Sequence, residues 1–136
     1  MTRSAKVRAF FGDADHDFAL LIGQCVELQD LTGCGLGVSL QRIEQVTVAD
    51  IKHALRLGLV GGGMAKEEAY RLVERNVVAG ELGVCAALAF NVVTAAIAGT
   101  PDEPLGEPKG DRTGDPLSQT DASDTPTSTA PQQRQG

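Results

Sequence analysis

Gly61, Gly62 and Gly63 form the chain's only run of three glycines, and they separate two amphipathic helical patterns. Before them Ile51, Ala54 and Leu55 recur at helical spacing; after them Ala69, Leu72 and Val73 do the same. Thr47 and Asp50 make the Ser/Thr-x-x-Asp/Glu pair that closes a helix N-terminus. Glu67 and Glu68 stand where a second helix's macrodipole favours carboxylates. Such a glycine run either reverses the chain between two helices or lets another backbone come close; the turn is the favoured reading. The rest of the chain is expected to pack around this joint.

Composition divides the 136 residues in two. All six prolines lie after Thr100, in a segment whose only large apolar residues are Leu105 and Leu117. That segment cannot bury enough apolar surface to offset its chain entropy, so residues 100–136 are expected to be a disordered, acidic, proline-rich tail. The remaining 1–99 are one compact domain. Of the formal charge of −6, the tail holds −4 through seven acids against Lys109, Arg112 and Arg134, and the body holds −2. With a pI near 4.8 and no basic stripe, direct nucleic-acid binding is not expected. No apolar run approaches the roughly 18 residues of a membrane span, and Met1 to Gly12 is too charged and short for a signal peptide. A soluble, cytoplasmic protein is expected from these features. Cys25, Cys34 and Cys85 are odd in number and widely spaced, as reduced thiols at apolar positions would be.

Lys6 to Phe11 alternates as K-V-R-A-F-F and His16 to Leu21 as H-D-F-A-L-L, with Gly12 to Asp15 between them: a β-hairpin signal. Val7, Ala9 and Phe11 share one strand face and Phe18 lies on its partner. The hairpin's unpaired edge, marked by these four residues, is the expected partner-binding element unless Lys6, Arg8 and Asp17 blunt it. Helices are predicted over Cys25 to Thr32 and about Leu36 to Gln45, before the two that flank the glycines. A fifth, alanine-rich helix opens at Glu81 and is stopped by Gly99 and Pro101; it is expected to be the most buried. The fold class is therefore α+β and mainly α: an N-terminal β-hairpin followed by about five packed helices. Because aromatic residues are few, the core is aliphatic and modestly stable, which suits self-association or a partner.

Chemistry-bearing patterns are weak. Asp13-Ala14-Asp15-His16-Asp17 opens like an EF-hand loop, but Phe18 and Gln24 stand where glycine and glutamate are required. Gly61 to Lys66 misses the P-loop spacing, and Gly33 to Gly37 lacks the dinucleotide fingerprint. No catalytic constellation, metal ligand set or cofactor site is predicted. Lys52, His53, Arg56 and Lys66 form a small basic face, read as a solvated helix surface.

Three segments carry a resemblance: F-x-L-x-I-G-Q-x-x-E-L-Q-x-x-T-G from Phe18 to Gly33, L-R-L-G-L-V-G-G-G-M from Leu55 to Met64 with the following E-E-A-x-R-L-V, and the closing alanine-rich helix. Together, over about Val7 to Gly99, they resemble the short tail proteins of gene transfer agents and related prophages, a family labelled as phage tail tube protein of the gene transfer agent type. The resemblance implies a non-enzymatic role in tail morphogenesis, with other tail proteins (the tape-measure or major tail protein) as partners, or further copies of the chain itself. By size and helicity the chain is more similar to a tail assembly chaperone than to the β-sandwich subunits that stack into tail tubes. The structural tube subunit is the alternative; a small regulatory or adaptor domain unrelated to virions is a more distant one.

Overall fold

A two-residue turn sets the register of everything at the N-terminus. In the computed structural model, which describes residues 3–101, β2 (Lys6–Phe11) pairs antiparallel with β3 (Ala14–Ala19), Phe11 opposite Ala14 and Lys6 opposite Ala19. The connection is Gly12-Asp13 alone, with Gly12 at φ 76°. Glycine first, with positive φ, is the signature of the tight type II′ hairpin, whose twist matches that of the strands. The second strand thus begins two residues before the expected His16, and Leu20 and Leu21 leave it to approach the first helix. Val7, Ala9 and Phe11 turn toward the core, together with Phe18 opposite Val7. Phe11 and Phe18 meet edge to face with centroids 6.0 Å apart.

Five helices follow: α1 (Ile22–Thr32), α2 (Leu36–Glu44), α3 (Val48–Gly61), α4 (Lys66–Asn76) and α5 (Leu82–Ala98). The mainly helical α+β architecture expected from the sequence is the one observed. α1 starts three residues earlier than Cys25 because Gln24 Oε1 accepts from the Leu21 backbone N–H at 3.2 Å, satisfying a donor at the helix entry. It ends at Gly33, in the left-handed conformation at φ 74°. α2 ends in the same manner with a different residue: the Val46 N–H donates to Ile43 O and the Thr47 N–H to Arg42 O, the paired bonds of a Schellman motif. Val46 therefore sits at φ 61°, the one non-glycine residue with positive φ among those described.

The predicted capping pair at the start of α3 does not form. Thr47 makes no side-chain cap, and Asp50 is buried at 1% exposure, where its Oδ1 accepts from Arg42 Nε at 3.1 Å and Nη2 at 2.9 Å. The carboxylate binds the preceding helix instead of its own N-terminus, because a guanidinium fork is the stronger donor.

The core gathers around α3, which packs against β3 and all four other helices. Ile51, Ala54, Leu55, Leu57 and Leu59 on this helix are buried to within 2% of complete. Each of the isoleucine and leucine side chains among them contributes about 1.5–3 kcal/mol. α5 is less buried than expected, since Val84 and Ile97 remain exposed at its two ends while Cys85, Ala89, Val92 and Val93 form its inner face. Two residues beyond α5, Thr100 and Pro101, form β4, which pairs antiparallel with β1 (Arg3–Ser4) and so ties the two ends of the domain together. Composition alone places these two residues in the tail. The rest of that segment, 102–136, with Leu105 and Leu117, lies outside the described residues.

Candidate interaction site

The two edges of the hairpin differ. Along β3, the end of α3 lies so close that a Cβ on Gly61 would overlap the Ala19 carbonyl oxygen and one on Gly62 the Asp17 carbonyl oxygen. Only residues without side chains let helix and strand approach in this way. Gly63, at φ 116°, then turns the chain into α4 with open space around it. The three glycines thus divide between two tasks, close approach for Gly61 and Gly62 and reversal for Gly63. β2, in contrast, pairs with β3 on one side and has no strand on its other side among the described residues.

The four residues that mark this hairpin in the sequence have unequal access to a partner. Phe18 is fully buried, Phe11 is 5% exposed, and Val7 and Ala9 are half-buried against the core. Phe11 and Phe18 are therefore committed to the interior, and a strand added to β2 would meet the backbone edge and the outward side chains Lys6, Arg8 and Phe10. The first two are engaged across the sheet: Arg8 Nη1 donates to Asp17 Oδ1 at 3.0 Å and Lys6 Nζ lies 3.7 Å from Asp17 Oδ2. The hydrogen bond from Arg8, more than the charge of Lys6, holds the Asp17 carboxyl below the ordinary carboxylate range. Phe10, at 66% exposure, has no such partner.

Phe10 borders a cleft of about 380 Å³ at the hairpin tip, lined also by Phe11, Gly12, Arg75, Asn76, Val78, Glu81, Val84 and Cys85. Val78 and Val84 are exposed beside it, so three apolar side chains from β2, the α4–α5 connection and α5 surround one opening. The floor is fixed by polar contacts. Asn76 Nδ2 donates to Leu72 O at 2.8 Å, Cys85 Sγ donates to Asn76 O at 3.7 Å, and the hairpin turn rests against Asn76 and Leu72 at Gly12. Burial pushes the Cys85 and Cys25 thiols up, which suits packing and not nucleophilic chemistry. Phe10 is not among the residues marked from the sequence, although strand alternation, which places it on the face opposite Val7, Ala9 and Phe11, could have found it. Val78 and Val84 were not legible, because their contribution depends on how the α4–α5 connection folds back.

The acidic turn does not gather its carboxylates: Asp15 stands opposite Phe10 and Asp17 opposite Arg8. Among the described residues no group of three or more His, Cys, Asp or Glu side chains is placed to hold a metal ion. No helix among them is long and apolar enough to cross a membrane.

A family model described as phage tail tube protein, GTA-gp10, matches residues 4–99, which spans the hairpin and all five helices. No curated protein and no solved structure matches the chain.

Proposed function

Since the chain belongs to the phage tail tube protein family of the GTA-gp10 type, we propose that it is a non-enzymatic tail assembly chaperone, which binds the tape-measure or major tail protein in the cytoplasm until assembly replaces those contacts. The observation that carries this reading is the asymmetric hairpin. Its β3 edge is closed by the glycine end of α3, its β2 edge has no strand neighbour among the described residues, and the β2 edge leads to an exposed apolar opening at Phe10, Val78 and Val84. An open strand edge supplies main-chain hydrogen bonds to any extended segment, and apolar side chains beside it add affinity without strict sequence demands. That combination suits transient holding of an unassembled protein. The family description favours a second reading, a structural subunit of the tube. Such a subunit repeats its own strand or face contacts around a ring, whereas this fold offers two two-stranded sheets on a helical body.

Quantitative mass spectrometry of purified particles beside the producing lysate, with the major tail protein as internal standard, separates the two. The chaperone reading expects abundance in lysate and near-absence from particles. A fixed ring-sized copy number per particle overturns it in favour of the structural subunit.

A further inference from the structure

Between α3 and α4, one cleft holds more positive than negative charge. Lys6, Arg8, Arg42 and Lys52 each face a carboxylate, the last through Glu74 at 3.2 Å. Arg56, Lys66 and Arg71 have no carboxylate within ion-pair distance among the described residues, yet they line one cleft of about 320 Å³ with Tyr70 and Glu67. Tyr70 is 55% exposed there. Arg56 Nη2 lies 3.4 Å from His53 Nδ1, and burial, reinforced by Arg56 itself, lowers the His53 pKa. The basic face seen in the sequence is thus redrawn. Lys52 turns away to Glu74, and the adjacent Tyr70 and Arg71, about one turn beyond Lys66 on α4, take its place.

We propose that the cleft between α3 and α4 binds an acidic segment of another protein, with Arg56, Lys66 and Arg71 receiving its carboxylates and the Tyr70 ring covering the apolar atoms between them. Charge complementarity selects this occupant. Three cations against one carboxylate leave the cleft positive on a chain whose formal net charge is −6. A nucleic acid, whose affinity rises with the number of phosphates neutralised, would meet that overall negative charge with only three cations to engage. A short run of carboxylates needs no more than these, and guanidinium forks match the planar carboxylate. The inference goes beyond the assembly reading by naming a second surface and the charge of what it takes, and it holds whether the protein leaves the particle or stays in it.

Tyr70 makes the test direct, because the chain has one tyrosine and no tryptophan, so its intrinsic emission reports on this cleft alone. The full chain is titrated with a short, end-blocked peptide of alternating Glu and Ala with a central Leu. The controls are the same peptide with Gln for Glu, and an oligonucleotide of equal charge. The expected result is a saturable change in tyrosine emission with the acidic peptide, weakened by added salt. Arg56→Gln and Arg71→Gln each lower the affinity by about tenfold or more, with thermal melts unchanged, while Arg3→Gln, in β1, has no effect. An unchanged emission, an equal response to the Gln peptide, tighter binding of the oligonucleotide, or undiminished binding by the arginine variants overturns the proposal.

Discussion

Val46 occupies the position after α2 where glycine would cost nothing, and it is β-branched. A side chain in the left-handed region brings Cβ against the following carbonyl, at about 1–2 kcal/mol per residue. The paired Schellman bonds hold it there. Val46 lines a groove of about 350 Å³ with Ile43, Ala86, Ala87 and Phe90, so part of its side chain is packed. Replacing it therefore mixes two effects, lost packing and relieved strain. Comparing Val46→Gly with Val46→Ala separates them, because both remove the packing and only glycine removes the strain. Val46→Gly is expected to unfold at higher denaturant than Val46→Ala, by about 1–2 kcal/mol; the usual order, with Ala ahead, would show that the position is not left-handed. Gly62 presents the opposite situation. Its φ is −80°, which any residue adopts, but a Cβ would enter the space of the Asp17 carbonyl. Gly62→Ala is expected to destabilise by about 1–3 kcal/mol through displaced backbone, measured by chemical denaturation, whereas Gly83→Ala, with open space around it, is expected to stabilise slightly. The glycine run was conspicuous in the sequence, and so was the possibility of a close backbone. That the backbone is β3, more than forty residues earlier, was not legible, because nothing local to Gly61 or Gly62 encodes it.

The helices were readable as elements because each carries an apolar stripe against polar neighbours, and α4 shows this most plainly, with Ala69, Leu72 and Val73 inside and Lys66, Glu67 and Arg71 outside. What holds one element to the next was less readable. Thr47 and Asp50 have the spacing of a cap, yet Asp50 links α3 to α2 through Arg42, eight residues before it. A local pattern lost to a tertiary partner that only the packing of two helices brings near. The consequence is a strong dependence of one residue on the other. Asp50 is 1% exposed and its Oδ2 has no hydrogen-bond partner, so Arg42 supplies its only neutralising contact among the described residues. Arg42→Ala leaves a buried carboxylate unpaired and is expected to lower the denaturation midpoint clearly. The double variant Arg42→Met with Asp50→Leu removes the charge as well as its partner and is expected to recover most of that loss. Equilibrium denaturation of the three proteins checks both statements, and equal loss in the double variant would mean that the pair is needed for its shape and not for its charge. The hairpin shows the same limit at its turn: alternation revealed two strands, but the two-residue Gly12-Asp13 connection fixed where the second begins.

For the whole molecule, the question is where the folding unit ends. Sequence composition places the boundary at Gly99, since every proline and almost no large apolar residue follows. The structure extends the pairing by two residues: Ser4 lies opposite Thr100 and Arg3 opposite Pro101, and the Thr100 Oγ1 donates to Ser4 O at 3.1 Å. This short ladder joins positions almost a hundred residues apart in sequence. It acts at the point where closing the chain costs the most entropy and where ends otherwise fray. It also covers Gly99, which at φ 75° sits against the Arg3 side chain. Residues 102–136 carry only Leu105 and Leu117 as large apolar side chains, so we propose that the folding unit is complete without them. A chain ending at Pro101 is expected to melt within a few degrees of the full-length protein by circular dichroism. One ending at Gly99 is expected to melt lower than the first, by the several degrees that about 1 kcal/mol represents in a domain of this size, with amide exchange faster at Arg3 and Ser4. If both truncations melt together, the ladder adds nothing to stability. If both melt far below the full chain, residues beyond Pro101 belong to the folding unit and the boundary read from composition is wrong.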